Sequence, residues 1–259
     1  MKIATWNVNS VKARIDAVLG WLKEATPDVV GFQEIKCLDE AFPRLEFEAL
    51  GYNVETFGQK TYNGVAILSR HPIEDVTRGL PGFEDTQSRY IEAVIAPKGG
   101  KAIRFCCLYL PNGNPVASEK YPYKLDWMAA LQARVETVLP LEESLVVAGD
   151  YNVIPTPADV HDPAAWAKDA LFLPTTRAAW RRLANLGLTD AIRACNALPG
   201  QYTFWDYQAG AWPKNNGIRI DHLMLSPQAA DRLASAGIDR HVRSWDKASD
   251  HVPAWCTLQ

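Results

Sequence analysis

The sequence predicts a mixed α/β fold in which two β-sheets pack against each other and helices cover their outer faces. Two observations support this prediction. Short apolar segments with strand character outnumber the helical ones, and they occur both in hairpins and separated by helices. No composition shift marks a linker within the 259 residues, so we expect a single domain that spans 1–259.

Apolar patterning places the elements of the first half of the chain. Short apolar runs between turn residues predict strands, and apolar residues three and four positions apart predict helices. The predicted strands are 2–6, 29–33, 54–57, 64–69, 90–96 and 103–110, and the predicted helices are 10–25, with Ser10 as its N-cap, and 43–50. Pro-Lys-Gly-Gly at 97–100 is typical of a hairpin turn.

The same patterns continue through the second half. Helices are predicted at 123–139, 176–186 and 228–236, and strands at 145–150, 203–205, 218–226 and 252–258. The segments 156–174 and 208–217 show no sustained period and are predicted to be loops. Because 156–174 is unusually long for a connection, we interpret it as a functional loop.

Composition excludes several classes of protein. Hydrophobic residues make up 47% and charged residues 22%, as in ordinary globular proteins. No apolar run could span a bilayer and no signal sequence is recognisable, so we expect a cytoplasmic protein without a membrane partner. Five cysteines without a CxxC pair indicate reduced thiols. The net charge of −3 does not indicate a dedicated electrostatic DNA binder, although basic residues can still act locally.

The segment 144–154 (SLVVAGDYNVI) combines a buried strand with a polar end. Its apolar run leads to Gly149, after which Asp150 and Asn152 lie two positions apart. In an extended segment their side chains share one face. A carboxylate beside an amide can hold and activate a water molecule. The alternative is an ordinary strand-to-turn junction, where Gly, Asp and Asn are common.

Other polar residues also stand at the ends of predicted strands. With Asp150 they are Asn7, Glu34, Tyr109, Asp221 and Asp250. Because the ends of neighbouring strands can meet at one rim, we expect these residues to form one site. Glu34 suits Mg²⁺, which takes one or two protein carboxylates. Asp221 lies in an apolar strand and needs a partner, which either His251 or Arg219 can supply.

The inventory of side chains favours metal-assisted hydrolysis of a phosphodiester. Tyr109 and Asn112 offer hydrogen-bond donors to a phosphate, although the first can also fill space and the second can simply form a turn. No GxSxG, HExxH, GxGxxG or GxxxxGKS motif occurs. Covalent acyl transfer, zinc catalysis and nucleotide cofactors are therefore poorly supported.

Nine segments between residues 2 and 255 resemble the exonuclease III family, in the order that family has them. They are ATWNVNSVKAR, GFQEIK, YNGVAILSR, CLYLPNG, YKLDW, VAGDYNV, TFWDY, IRIDHLMLS and SDHVP. The members of this family are bacterial apurinic/apyrimidinic endonucleases within the larger endonuclease/exonuclease/phosphatase group. The resemblance implies a DNase I-like, four-layer α/β/β/α sandwich with one active site at the rim between two sheets.

The resemblance also implies a role for each matching residue. Glu34 is the principal ligand of Mg²⁺ or Mn²⁺, with Asn7 beside it, and Asp150 and Asn152 position the attacking water. His251 contacts the scissile phosphate and is held by Asp221. Asp250 supports His251 or a second metal position. Phosphate or the leaving oxygen is contacted by Tyr109, Asn112 and Lys120. Whether Asp150 or His251 is the base stays open.

The implied substrate is double-stranded DNA that contains abasic sites or blocked 3′ ends, bound by a monomer. The resemblance implies incision 5′ to the abasic site, with 3′→5′ exonuclease and 3′-phosphatase activity. An extruded abasic sugar would enter an apolar pocket made by Phe204, Trp205, Ile218 and Ile220. Some relatives carry a large aromatic residue where this chain has Ile218. The candidate contacts to the DNA backbone are Lys12, Arg89, Arg177, Arg181 and Arg182.

Two other classes remain open at this stage. A non-catalytic relative would use the same scaffold for binding, but it would be expected to have lost acids or the histidine, and all are present. A phosphatase acting on a lipid or sugar phosphate would need different loops around the pocket.

Overall fold

The first strand has apolar side chains on both of its faces, and this places it inside the molecule. In the computed structural model, which describes residues 1–259, β1 (Lys2–Asn7) is almost completely buried. Ile3 points into one apolar cluster, while Ala4 and Trp6 point into another. Successive strand residues face opposite sides, so a strand that is apolar on both faces belongs inside the molecule.

The first sheet has six strands, in the spatial order β11-β12-β1-β2-β4-β3. Its strands are β1, β2 (Val29–Gln33), β3 (Asn53–Phe57), β4 (Val65–Ser69), β11 (Leu233–Ile238) and β12 (Ala254–Leu258). β1 and β2 run parallel, and they end at Asn7 and Gln33 in the same register. The residues that follow both strands therefore emerge at one edge.

The second sheet also has six strands, in the order β5-β6-β7-β8-β10-β9. They are β5 (Ile73–Arg78), β6 (Tyr90–Ile95), β7 (Ile103–Tyr109), β8 (Leu145–Asp150), β9 (Thr189–Asp190) and β10 (Asp221–Leu225). The parallel pair β7 and β8 ends with Tyr109 opposite Asp150. Antiparallel β10 begins with Asp221 opposite the same Asp150. Three strand termini thus bring polar side chains together.

Helices cover the outer face of each sheet and complete a four-layer α/β/β/α sandwich, as predicted. They are α1 (Ile15–Ala25), α2 (Arg44–Glu48), α3 (Lys120–Val138), α4 (Pro174–Ala184), α5 (Ala191–Cys195), α6 (Ala211–Lys214) and α7 (Pro227–Ala230). α1 packs Trp21 against the first sheet, and α3 packs Trp127 against the second. A third apolar cluster fills the space between the sheets. No helix combines the length and apolarity that crossing a membrane requires.

The first predicted helix begins five residues later than expected. Ser10 was predicted to cap it, but the helix begins at Ile15. The backbone N–H groups of Ser10 and Val11 instead donate to the carbonyls of Glu34 and Ile35. This pairing fixes the start of the loop against the segment that carries Glu34, which is incompatible with a helical turn there.

The predicted helix 228–236 is wrong in its second half. Only Pro227–Ala230 is helical, and Leu233–Ile238 forms β11, which pairs with β12. The alanine-rich segment favours a helix locally, but an open edge beside β12 offers backbone hydrogen bonds that outweigh this propensity. The strand Ile73–Arg78 was not predicted; its polar, half-exposed residues lack a clear alternation. The predicted loop 208–217 contains the short helix α6.

Candidate active site

The predicted site residues meet at the rim between the two sheets. A cavity of about 300 Å³ opens there. It is lined by ten residues singled out from the sequence, namely Glu34, Tyr109, Asn112, Asp150, Asn152, Phe204, Ile218, Ile220, Asp250 and His251, and by Asn114, Trp166, Asp169, Leu171 and Asp206. Asn7 and Asp221 are fully buried directly behind this lining.

Asn7 joins the two sheets at the floor of the cavity. Its side-chain amide donates to Glu34 Oε1 at 2.9 Å and to Asp150 Oδ2 at 3.0 Å. Its oxygen accepts a hydrogen bond from the backbone N–H of Asn9 at 3.0 Å. Asn7 is therefore placed to orient both carboxylates, one from each sheet.

Glu34 is held in an unusual backbone conformation. It follows β2 directly with φ of 51°, in the left-handed region that non-glycine residues rarely adopt. Lys36 Nζ lies 2.8 Å from Glu34 Oε2. Burial alone would raise the pKa of Glu34, but Lys36 and the Asn7 amide outweigh it and hold the pKa below its usual value. Glu34 is therefore an ionised carboxylate that faces the cavity.

His251 is clamped by Asp221, as one of the two sequence alternatives predicted. His251 Nδ1 lies 2.9 Å from Asp221 Oδ2, and Nε2 lies 3.7 Å from Asp150 Oδ2. Burial would lower the pKa of His251, but the Asp221 and Asp150 carboxylates outweigh it and raise the pKa to about 10. The imidazole is therefore a cation at neutral pH. Arg219, the other candidate partner, pairs with Asp159 and Asp190.

The pKa of Asp150 is also raised, but for a carboxyl group this favours the neutral form. Burial raises its pKa to about 7 despite the favourable field of His251, and the nearby Asp221 adds to the increase. Asn152 N donates to Asp150 Oδ1 at 2.9 Å. A carboxylate whose pKa lies near 7 can accept a proton from water at neutral pH. The two buried groups thus divide into a candidate base and a fixed cation.

Asn152 and Asn112 line the cavity beside Asp150. Asn112 Nδ2 donates to Asn152 Oδ1 at 3.1 Å, and Asn152 Nδ2 donates to the carbonyl of Leu110 at 2.9 Å. Asn152 has φ of 48°, again in the left-handed region. Each asparagine thereby fixes the amide orientation of the other.

Lys124 is a site residue that was not predicted from the sequence. Its fully buried ammonium donates to the carbonyls of Pro111 at 2.9 Å and Asn152 at 2.7 Å. Burial lowers its pKa to about 7. One signal could have identified it: Lys124 occupies the buried stripe of α3, three residues before Trp127 and four before Met128. A lysine in such a stripe needs a specific partner.

Replacing Lys124 with methionine should lower kcat about tenfold, because the turns that hold Asn112 and Asn152 lose their common donor. Lys120→Met is the matched control at the exposed start of the same helix. It should leave kcat near the wild-type value, because Lys120 is exposed and does not line the cavity. Steady-state kinetics on an abasic duplex, with circular dichroism to verify folding, measures both. A Lys124→Met enzyme with wild-type kcat would contradict the positioning role.

The remaining cavity wall is apolar. Phe204 forms isolated bridges to Ile218 and to His251, and its ring lies edge-on to the His251 ring at 4.9 Å. Trp166 and Leu171 complete this wall from the segment 156–174, which was predicted to be a functional loop. That loop is anchored by a buried hydrogen bond, which Arg219 Nε donates to Asp159 Oδ1 at 2.7 Å.

Two predicted substrate-binding residues lie elsewhere. Trp205 is completely buried in the core beside the first sheet, where its ring packs edge-on against Trp212 and its Nε1 donates to Asn215. Because neighbouring residues in an extended segment point to opposite sides, Phe204 faces the cavity and Trp205 cannot. Lys120 lines an adjacent groove of about 390 Å³ together with Arg89.

The donor set of the cavity fits a hard cation. Asp150, Asp221 and His251 have ligand atoms within 4.8 Å of one another. However, Asp221 is engaged by His251, whose raised pKa keeps the ring protonated and unable to ligate a metal. The carboxylates of Glu34 and Asp150 are the better oxygen donors, which Mg²⁺ and Mn²⁺ prefer. Asp250, on the same rim, is oriented by Asn9 Nδ2 at 3.1 Å.

Known proteins and solved structures are similar to this chain over its full length. The model of the endonuclease/exonuclease/phosphatase family matches residues 4–251. The chain is 34% identical to exodeoxyribonuclease III from Haemophilus influenzae over 100% of both proteins. An AP endonuclease from Archaeoglobus fulgidus superposes with a TM-score of 0.95 and 36% identity, covering 100% of this chain and 99% of that one. A 3′ phosphatase from Neisseria bound to a product DNA hairpin gives a TM-score of 0.95 and 35% identity with the same coverage.

Proposed function

The chain belongs to the exonuclease III branch of the endonuclease/exonuclease/phosphatase family, and on this basis we propose that it is a DNA repair nuclease that hydrolyses phosphodiester bonds 5′ to abasic sites. The observation that carries the proposal is the cluster of Asp150 and the Asp221–His251 pair at one cavity, where His251 Nε2 lies 3.7 Å from Asp150 Oδ2 and the ionised Glu34 lies beside them. A carboxylate able to accept a proton faces a cation able to bind phosphate, which suits hydrolysis of an anionic ester.

In the proposed reaction Asp150 takes a proton from water while Asn152 orients that water. The water oxygen forms a bond to phosphorus as the bond from phosphorus to the 3′ oxygen breaks. The products are a 5′-deoxyribose phosphate and a 3′ oxygen that takes a proton from solvent to become the 3′-hydroxyl, and Asp150 then releases its proton to solvent. The raised pKa values of His251 and Asp150 support Asp150 as the base, because a protonated imidazole cannot accept a proton.

The developing negative charge needs positive partners. His251, fixed by Asp221, supplies one, and Tyr109 and Asn112 supply neutral donors at the cavity wall. We propose that Glu34 and Asp150 hold Mg²⁺ or Mn²⁺, with Asp250 and Asn152 as further oxygen donors and Asn7 as their support. When bound, such an ion polarises the phosphate and stabilises the leaving oxygen.

The apolar wall supplies a place for the extruded sugar. Phe204, Ile218 and Ile220 line the cavity beside His251. An abasic nucleotide lacks base stacking and pairing, so turning it out of the duplex costs less than turning out a normal one. The same centre would remove nucleotides or phosphate groups from 3′ ends, in line with the 3′ phosphatase among the similar structures. We further propose that the protein acts as a single-domain monomer in the cytoplasm.

Cleavage of a duplex with one abasic site tests this proposal. Incision 5′ to the site is expected with Mg²⁺, and EDTA should abolish it because the carboxylates lose their cation. Gel analysis of end-labelled strands distinguishes the 3′-hydroxyl product from others. Nicked duplexes with 3′ phosphates and a phospholipid substrate, assayed in parallel, test the other ester classes. Cleavage that survives chelation would overturn the metal-dependent mechanism, and cleavage of the lipid alone would overturn the DNA substrate.

A further inference from the structure

A carboxylate stands within the apolar wall of the cavity. Asp169 lines the cavity from the loop between β8 and α4, alongside Trp166 and Leu171. Ile218 and Ile220 face the same space. An acid at this place does not suit contact with phosphate, because the charges repel. Its position therefore calls for a different substrate group.

The orientation of Asp169 is fixed by neutral donors. Asn114 Nδ2 donates to both carboxylate oxygens at 3.1 Å, and Leu171 N donates to Oδ1 at 2.8 Å. Asn114 is held in turn, because its Oδ1 accepts from Ala170 N at 3.2 Å. A carboxylate offers about four acceptor positions. Its donors here are one Asn114 nitrogen, shared between both oxygens, and Leu171 N, so Asp169 can accept from a further donor.

We propose that Asp169 recognises the C1′ hydroxyl of the abasic sugar and thereby selects true abasic sites. This inference rests on the proposed function. An abasic sugar in DNA is mostly a ring-closed hemiacetal, with a hydroxyl group on C1′ where the base was attached. That hydroxyl can donate a short, charge-assisted hydrogen bond to Asp169 while the ring lies against the apolar wall.

A matched pair of substrates tests the proposal. Tetrahydrofuran is a stable abasic analogue that has hydrogen in place of the C1′ hydroxyl and is otherwise similar in size. The wild-type enzyme should cleave the natural abasic duplex with a kcat/KM roughly tenfold higher than the tetrahydrofuran duplex, because the analogue leaves a desolvated carboxylate without a donor. In Asp169→Ala this ratio should fall to about one.

The control is Asp206→Ala, which removes another carboxylate of the same cavity. It should keep the wild-type ratio of the two substrates, whatever its effect on the rate. If Asp169→Ala does not fold, Asp169→Asn replaces it, and its ratio must fall below that of the wild type. Equal cleavage of both substrates by the wild type, or an unchanged ratio in the Asp169 variants, would overturn the inference alone. Failure to cleave either substrate would overturn the proposed function, and the inference with it.

Discussion

Replacing Asp150 with asparagine is expected to lower kcat by roughly 10³-fold or more, because the variant keeps the shape of the side chain and loses the proton acceptor. The fold should survive. Burial raises the pKa of Asp150 to about 7, so in the metal-free wild type its ionisation opposes folding. This loss of stability begins above the unfolded pKa of about 4 and is complete above about 7. The Asp150→Asn variant should not show this loss of folding stability between about pH 4 and about pH 7.

Single-turnover cleavage of an abasic duplex measures the first effect, and metal-free thermal unfolding at pH 5 and pH 8 measures the second. Asp126→Asn is a suitable control, since it changes an exposed carboxylate on α3 outside the cavity. It should behave as the wild type in both assays. Wild-type cleavage by Asp150→Asn would show that another group takes the proton.

Replacing Asp221 with asparagine is expected to lower kcat by about 10²-fold or more and to lower the pKa of His251. Burial opposes the charge on His251, and Asp221 is the main group that keeps the ring protonated. Without it the imidazole would be partly neutral at pH 7, so a smaller fraction of the enzyme would present a cation to the phosphate. In the metal-free wild type, the stabilising effect of the imidazolium is complete below about pH 6.5 and lost as the pH rises through about 10.

Nuclear magnetic resonance titration of the histidine rings, without metal, provides a reading that is independent of activity. His222 gives a second reading: it follows Asp221 directly in β10, but its ring packs against Tyr151 and Trp180, where burial and the neighbouring Arg219 lower its pKa to about 4. Because Asp221 is not among the groups that shift it, the pKa of His222 should be unchanged in Asp221→Asn. A His251 signal that titrates alike in the variant and the wild type would exclude the proposed role of Asp221.

Local sequence patterns predicted the strands that carry the proposed catalytic groups, because an acid directly after an apolar run marks the point where a buried strand reaches the rim of its sheet. Glu34 and Asp150 were found in this way. Features that depend on distant partners were not predicted. β11 forms only because β12 offers it an edge, and Lys124 is explained only by two carbonyls from separate loops. Asp169 and Leu171 lie in a segment without periodicity, so nothing local distinguishes them from their neighbours.

The Asn7 amide, which donates to one carboxylate from each sheet, makes the catalytic centre sensitive to how the two sheets are aligned. A sliding motion of one sheet over the other by a fraction of an ångström would pull Glu34 away from Asp150 before any strand came apart. The packing of the apolar layer between the sheets therefore sets the position of Glu34 relative to Asp150. Small cavities introduced there, far from DNA, would loosen the alignment of the centre and slow the enzyme while it remained folded.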